Sequence, residues 1–206
     1  MSISRYSILL LLIALPAMAQ QEYRPAMPIS KYFYKCASRM GPTILDNNPA
    51  VKNDQGYIGL FQFSVRNAYE SGLCSKPVPS MRSEQIWRLC DFKGPIAEKY
   101  NIRSQYDLRF DNKAKAAQYE MMKWLVAGYD EYIFQKRYDR LFGRFINGVN
   151  MNADVLRAIL HADGRAALDE FLNGVESQNN QTRGPYSIGA CFNQCLNTEG
   201  KNWYCD

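Results

Sequence analysis

Six cysteines follow a short apolar N-terminal segment, and this combination limits the folds open to the chain more than any other feature. Arg5 precedes an apolar run at residues 8–16, and Ala-Met-Ala at residues 17–19 is a small-x-small cleavage signal. The apolar run is shorter than the roughly 20 residues that span a bilayer. We therefore expect residues 1–19 to be a secretory signal peptide. The mature chain is then periplasmic or secreted and is not an integral membrane protein.

The mature chain carries an even number of cysteines, which is typical of an exported protein held by disulfides. They are Cys36, Cys74, Cys90, Cys191, Cys195 and Cys205. Up to three disulfides are expected, and the sequence leaves their pairing open. The Cys191-x-x-x-Cys195 spacing with the one histidine, His161, is weak support for a zinc site. We therefore expect no metal and no cofactor.

Length and charge narrow the choice of partners. The chain has 206 residues, and without its signal peptide it is long enough for one domain with a hydrophobic core. Its formal net charge is +5 with no dense basic block, and we expect no nucleic-acid partner. This charge suits an anionic envelope polymer and equally an ordinary solvated surface. Lys136, Arg137, Arg140 and Arg144 are likewise either a partner or glycan surface or a solvated helix face.

Apolar residues at helical spacing predict a mainly α fold. One expected helix covers residues 29–40, a second ends near Gly72, and a third follows Ser83 and ends at Gly94-Pro95. A fourth begins at Asp111, a fifth follows a cap at Asn152, and a sixth covers residues 165–172. We expect the longest, from Asp111, to break near Gly128. Residues 42–56 read as a loop or a small β-hairpin. We expect one helical domain at residues 20–178 and a Cys-rich loop at residues 179–206 that disulfides attach to it.

Two segments carry a resemblance to a known family. The first reads Gly-Tyr-Ile-Gly-Leu-Phe-Gln-Phe at residues 56–63, followed by Ala68, Glu70 and Gly72. It resembles a segment of the lysozyme-like peptidoglycan hydrolases, which comprise muramidases and lytic transglycosylases. Members of this family occur in phage tails and as secreted muramidases. The second begins Phe-Ile-Asn-Gly-Val-Asn-Met-Asn at residues 145–152 and resembles the C-terminal segment of the same family. Its remaining matches are Leu156, Ala158, His161, Gly164, Leu168, Phe171 and Leu172. The resemblance implies a lysozyme-like domain over roughly residues 30–175.

The resemblance also implies a sugar cleft lined by this motif. Gly56 and Gly59 would let the backbone turn close to a sugar, and Tyr57 and Phe61 would offer flat faces to pyranose rings. Gln62 would bond an acetamido group or hold the turn. The alternative is that Leu60, Phe61 and Phe63 are plain core and that His161 is a hydrogen-bonded core histidine.

The family's catalytic glutamate is missing. In the family it ends the first helix within Glu-Ser-Gly, whereas the simplest alignment places Ala37 and Ser38 there. Glycosidic cleavage needs a carboxylic acid kept protonated beside the scissile oxygen, and alanine carries no proton to donate. The fallback acids are Asp46 and Asp54 in the following loop, and Glu70 at the end of its helix.

Three functions remain open from the sequence. The first is a non-catalytic lysozyme-like protein that binds peptidoglycan or an envelope-spanning complex such as a secretion system. The second is an active peptidoglycan glycosidase with a relocated acid, Asp46 or Asp54. The third is an inhibitor or immunity-type protein that blocks a hydrolase. The missing glutamate favours the first.

Overall fold

The computed structural model describes residues 27–39, 48–77, 84–146, 148–173 and 185–201, and in these ranges the chain is mainly helical, as predicted. The helices are α1 (Phe33–Ala37), α2 (Val65–Glu70), α3 (Pro95–Tyr100), α4 (Gln105–Phe110), α5 (Ala114–Gln135), α6 (Ala153–Ala162), α7 (Gly164–Leu172) and α8 (Pro185–Asn197). Short 3₁₀ helices cover Glu84–Leu89 and Tyr138–Leu141, and strands β1 (Phe145–Ile146) and β2 (Val149–Asn150) form an antiparallel hairpin. None of the helices described has the length and apolar character needed to cross a membrane.

Helices α5 and α6 form the centre of the core. Helix α5 packs against α2, α3, α4 and α6, and α6 also contacts α7 and α8. Their inward residues Met121, Met122, Ile133, Leu156 and Ile159 are fully buried. Buried residues on several faces explain why the hydrophobic pattern of α5 is hard to read as one stripe.

The predicted break in α5 is absent. The helix runs continuously from Ala114 to Gln135 and passes through Gly128. A glycine inside a helix costs about 1 kcal/mol relative to alanine, and burial of Leu125, Tyr129 and Ile133 around it outweighs that cost. Tertiary packing therefore overrides the local signal.

Polar caps fix several helix starts. Asn152 Oδ1 accepts the backbone N–H of Val155 at 2.9 Å, which confirms the predicted cap of α6. At α2, Ser64 Oγ accepts the N–H of Asn67, and Asn67 Oδ1 accepts the N–H of Ser64. Each cap satisfies a donor that the first helical turn leaves unpaired.

The expectation that Gly94-Pro95 ends a helix is wrong. Gly94 caps the N-terminus of α3 and Pro95 is its first residue, a position where proline loses no helical hydrogen bond. Helix α1 is also shorter than predicted, because residues 31 and 32 form a turn and the helix covers only Phe33–Ala37.

The predicted C-terminal loop is also corrected. Residues 185–197 form helix α8, which packs on α6, α7 and α1 and buries Ile188 and Phe192. Gly189 makes this approach close, because a Cβ there would lie 3.2 Å from Val149 and 3.3 Å from Ile159. The polar and cysteine-rich composition concealed the apolar face of this helix.

A disulfide joins α8 to α1, as expected for the C-terminal segment. Cys36 of α1 is bonded to Cys195 of α8 across a sequence separation of 159, and Cys74 is bonded to Cys90 across a separation of 16. Cys191 is also disulfide-bonded, and Cys205 lies outside the described residues. The first bridge joins the beginning and the end of the described chain.

A buried ionic network holds the first described residues, Met27 and Pro28, against α6. The Arg157 guanidinium on α6 donates to both Asp130 oxygens, at 2.6 and 2.8 Å, and to Asp154 at 2.5 Å. It also donates to the carbonyl oxygens of Met27 and Pro28. Because Arg157 is fully buried, this set of partners offsets the cost of removing its charge from water.

Candidate functional site

The motif at residues 56–63 folds into two tight turns. Ile58 forms antiparallel bridges with both Lys52 and Phe63, so three short passes of chain lie side by side. Gly56 and Gly59 have φ values of +83° and +81°, which glycine adopts without strain. Residues 42–56 were predicted as a loop or a small β-hairpin; 42–47 lie outside the described residues, and Lys52 forms a single bridge with Ile58 of the motif.

Gln118 of α5 holds the motif in place through hydrogen bonds. Its Oε1 accepts the N–H of Leu60 at 2.7 Å, and its Nε2 donates to the carbonyls of Leu108 at 2.7 Å and Pro49 at 3.1 Å. A Cβ on Gly59 would lie only 2.3 Å from Gln118 Oε1. Gln118 was not identified from the sequence, since its partners are distant along the chain.

Phe61 lies at the centre of an aromatic cluster formed by Tyr34, Phe61, Phe63 and Tyr119. The ring centroid of Phe61 is 5.3 Å from that of Tyr119, 5.7 Å from that of Phe63 and 6.3 Å from that of Tyr34. Phe61 is buried, whereas Tyr34 and Tyr119 are half-buried. The rings that reach solvent here are thus two tyrosines that the motif does not contain.

Tyr57 and Gln62 occupy the turns of the motif. The N–H of Tyr57 donates to Asn53 Oδ1 at 2.9 Å, and its side chain is half-buried. Gln62 has φ +52° and donates from Nε2 to the carbonyl of Gly59 at 2.9 Å. Its Oε1 is buried without a hydrogen-bond partner. Gln62 therefore holds the turn and retains one unused acceptor.

His161 joins α6 to the motif. Its Nε2 lies 2.7 Å from the carbonyl oxygen of Phe61, which can only accept, so Nε2 carries the proton. Nδ1 then accepts from the hydroxyl of Tyr129 at 3.1 Å. Burial lowers the pKa of His161, which favours this neutral tautomer. With both ring nitrogens engaged by protein groups, His161 is placed to position the motif.

The end of α1, where the resemblance predicts a missing acid, combines a buried alanine with basic side chains. Ala37 is buried, and the Ser38 hydroxyl donates to the carbonyl of Lys35 at 2.9 Å. Lys35 donates to the carbonyl of Glu199 at 3.3 Å, and Arg39 donates to the carbonyl of Gly200. The chain that follows α8 therefore packs on this end of α1.

The fallback acids do not gather in the described part of the chain. Asp46 lies outside the described residues. Asp54 is exposed in the turn before Gly56, and Glu70 accepts from Arg66 at 2.8 Å on the surface of α2. Neither position offers the apolar surroundings that keep a carboxyl protonated.

A different carboxyl, Asp163, has the unusual pKa. Burial raises its pKa from the ordinary value to about 6, and its Oδ2 is buried without a hydrogen-bond partner. Asp163 stands between α6 and α7, two residues after His161, which is about 200° around a helix axis.

In the ranges described, no group of three or more His, Cys, Asp or Glu side chains is arranged to hold a metal ion. Comparison with models of protein families, with curated proteins and with solved structures finds no match to this chain.

Proposed function

We propose that this is an exported, non-catalytic protein with a lysozyme-like cleft, which binds peptidoglycan or an envelope-spanning complex such as a secretion system. The observation that carries the proposal is that Ala37 and Ser38, and no carboxylic acid, occupy the end of α1. Lys35 and Arg39 flank them, and both are tied to the chain after α8.

The carboxyls that are described support binding without cleavage. A general acid must be protonated near neutral pH and must touch the scissile oxygen. Asp54 and Glu70 are exposed to water and lack the apolar surroundings that a general acid needs. Asp163 has a raised pKa, but no hydrogen bond among the described residues joins it to the motif. None of these three carboxyls is therefore assigned the role of general acid.

The aromatic cluster supports a glycan as the ligand. Half-buried tyrosine rings present a flat apolar surface on which a pyranose ring can stack, and their hydroxyls can bond sugar oxygens. Burial raises the pKa of Tyr34, so its hydroxyl stays protonated and able to donate. Tyr34 and Tyr119 are 5.9 Å apart between ring centroids, close enough to contact one sugar residue.

The test is incubation of the purified, oxidised mature protein with peptidoglycan sacculi, measuring pelleted protein and released muropeptides together. Co-pelleting without release is the expected result. Tyr119→Ala should weaken co-pelleting about fivefold, since stacking on an aromatic ring contributes about 1 kcal/mol. Tyr106→Ala on α4, which removes a tyrosine that is 69% exposed elsewhere, should leave it unchanged.

Two other outcomes would replace the proposal. Release of fragments that is lost in Asp46→Asn or Asp54→Asn would identify an active glycosidase with a relocated acid. A tight complex with a purified hydrolase, together with no affinity for sacculi, would identify an inhibitor.

Thermal unfolding of Tyr119→Ala, compared with that of Tyr119→Phe, shows whether a loss of binding comes from the missing ring or from a damaged fold.

A further inference from the structure

A second surface, remote in sequence from the motif, combines exposed phenylalanines with arginines. It comprises Arg137, Arg140, Phe142, Arg144 and Phe145, and we call it the arginine–phenylalanine segment. Phe145 is 74% exposed, the highest value among the large hydrophobic side chains described, and Phe142 is 37% exposed. All three arginines are exposed. Exposed apolar side chains that lie together and are rimmed by polar residues are typical of sites that contact proteins or membranes.

Backbone hydrogen bonds hold this segment in place. The N–H of Gly143 donates to the carbonyl of Met151, and the N–H of Met151 donates to the carbonyl of Arg144, both at 2.8 Å. These bonds continue the β1–β2 ladder, in which Phe145 is paired with Asn150. Met151 and Val149 are buried and anchor the hairpin in the core. The exposure of Phe145 is therefore imposed by the register of the hairpin.

The charge of the segment is positive and largely uncompensated. Asp139 is the one acidic residue between Lys136 and Val149. Within the described ranges, no ion pair joins Arg137, Arg140 or Arg144 to a carboxylate. Arg140 uses its Nε to bond the carbonyl of Arg137, which leaves its terminal nitrogens for a ligand. Lys136 differs, since it pairs with Asp169 at 3.2 Å.

We infer that the arginine–phenylalanine segment docks on the surface of a bilayer that contains anionic phospholipid. A phenylalanine ring has no hydrogen-bonding group, so it gains by leaving water for the apolar boundary of the acyl chains. Arginine forks match phosphate groups in geometry and charge, and each basic residue near an anionic bilayer strengthens binding about fivefold. A glycan would be matched better by aromatic residues that also carry polar groups, such as those of the aromatic cluster.

The test is co-sedimentation of the oxidised mature protein with vesicles of phosphatidylcholine alone and with vesicles containing about one third phosphatidylglycerol. Binding to the anionic vesicles should be at least tenfold stronger and should weaken as salt is raised. The double variant Arg140→Gln/Arg144→Gln should lose more than tenfold of this binding, and Phe145→Ser should lose several-fold. These side chains are exposed, so the fold should tolerate the changes.

A matched control lies on α4, where Tyr106 is 69% exposed and its ring stacks with that of Phe110. Tyr106→Ser removes a comparable exposed ring and should leave vesicle binding unchanged. Equal binding to both vesicle types, or anionic binding that Phe145→Ser and the arginine pair leave intact, would overturn the inference. So would loss of sacculus binding in the same variants with vesicle binding unchanged, because the segment would then bind the glycan.

Discussion

Helix α6 and its C-terminal cap contain two charged side chains, Arg157 and Asp163, whose surroundings differ. Arg157 meets two carboxylates and two backbone carbonyls, so its charge is compensated on all sides. Asp163 is half-buried, its Oδ2 lacks a hydrogen-bond partner, and burial raises its pKa to about 6. In the first arrangement opposite charges offset one another, whereas the second destabilises the fold when the carboxyl is ionised.

Replacing Asp163 by asparagine should therefore stabilise the protein at neutral pH. Its pKa is higher in the folded state than in the unfolded chain, so protonation favours folding, and stability rises as pH falls from above 6 towards 4. At pH 7 Asp163→Asn should gain about 1 kcal/mol, a value reduced for partial exposure of the group. Urea unfolding at pH 7 and pH 4 measures the difference.

The exposed Asp54 provides the comparison, since Asp54→Asn should change stability little at either pH. A gain for Asp163→Asn that is as large at pH 4 as at pH 7 would show that ionisation is not its cause. Loss of stability at pH 7 would show that the carboxylate has a stabilising partner.

Single residues of the candidate site divide into those that the sequence reveals and those that it does not. Gly59, Phe61 and Gln62 belong to a recognisable local motif. Tyr34, Tyr119 and Gln118 do not, because their contacts with the motif join α1 and α5 to it over long sequence separations. Periodicity records that such residues lie on helices, but it carries no information about their distant neighbours.

Elements with strong caps and clear apolar faces were predictable. Helix α6, with its Asn152 cap, and α7 follow the pattern closely. Gly94-Pro95 and Gly128 were misread because the same residues that end helices also begin them or lie inside them when packing compensates. Helix α8 was missed since its polar composition resembles that of a loop. The lysozyme-like architecture itself stays a prediction.

The two-turn motif should depend sharply on Gly59. Alanine there would keep φ near +81° at a cost of about 1–2 kcal/mol and would displace Gln118. Displacing Gln118 weakens three hydrogen bonds, each worth about 1 kcal/mol. Gly59→Ala should therefore cost about 3–5 kcal/mol in the free energy of unfolding, measured by urea denaturation.

Gly143 is the matched control. It has φ +77°, yet nothing lies within 4 Å of where its Cβ would be, so Gly143→Ala should cost only the backbone strain of about 1–2 kcal/mol. Equal losses in the two variants would contradict the role assigned to Gln118.

At the scale of the whole molecule, the two described disulfides should contribute unequally. Cys36–Cys195 closes a loop about ten times longer than Cys74–Cys90, and loop-closure entropy grows with the logarithm of that length. Replacing the first pair by alanines should cost about 5 kcal/mol, and replacing the second pair about 3 kcal/mol. Because all four cysteines are buried, the packing losses should be similar.

Urea unfolding of the two double-alanine variants, under oxidising conditions, measures this ordering. A larger loss for Cys74→Ala/Cys90→Ala than for Cys36→Ala/Cys195→Ala would contradict it. Such a result would show that local strain or residual structure in the unfolded chain outweighs loop length.

The bridge between α1 and α8 also determines how the molecule would respond to mechanical pulling. A force applied between Met27 and Lys201 first strains the bonds that hold Met27 and Pro28 to Arg157, and it then passes from Cys36 to Cys195 through a covalent bond. Once those first contacts have given way, the segments between the two cysteines, including the aromatic cluster, are shielded from the tension. Among the described residues, pulling would therefore extend 27–35 and 196–201 and leave the fold between the two cysteines in place.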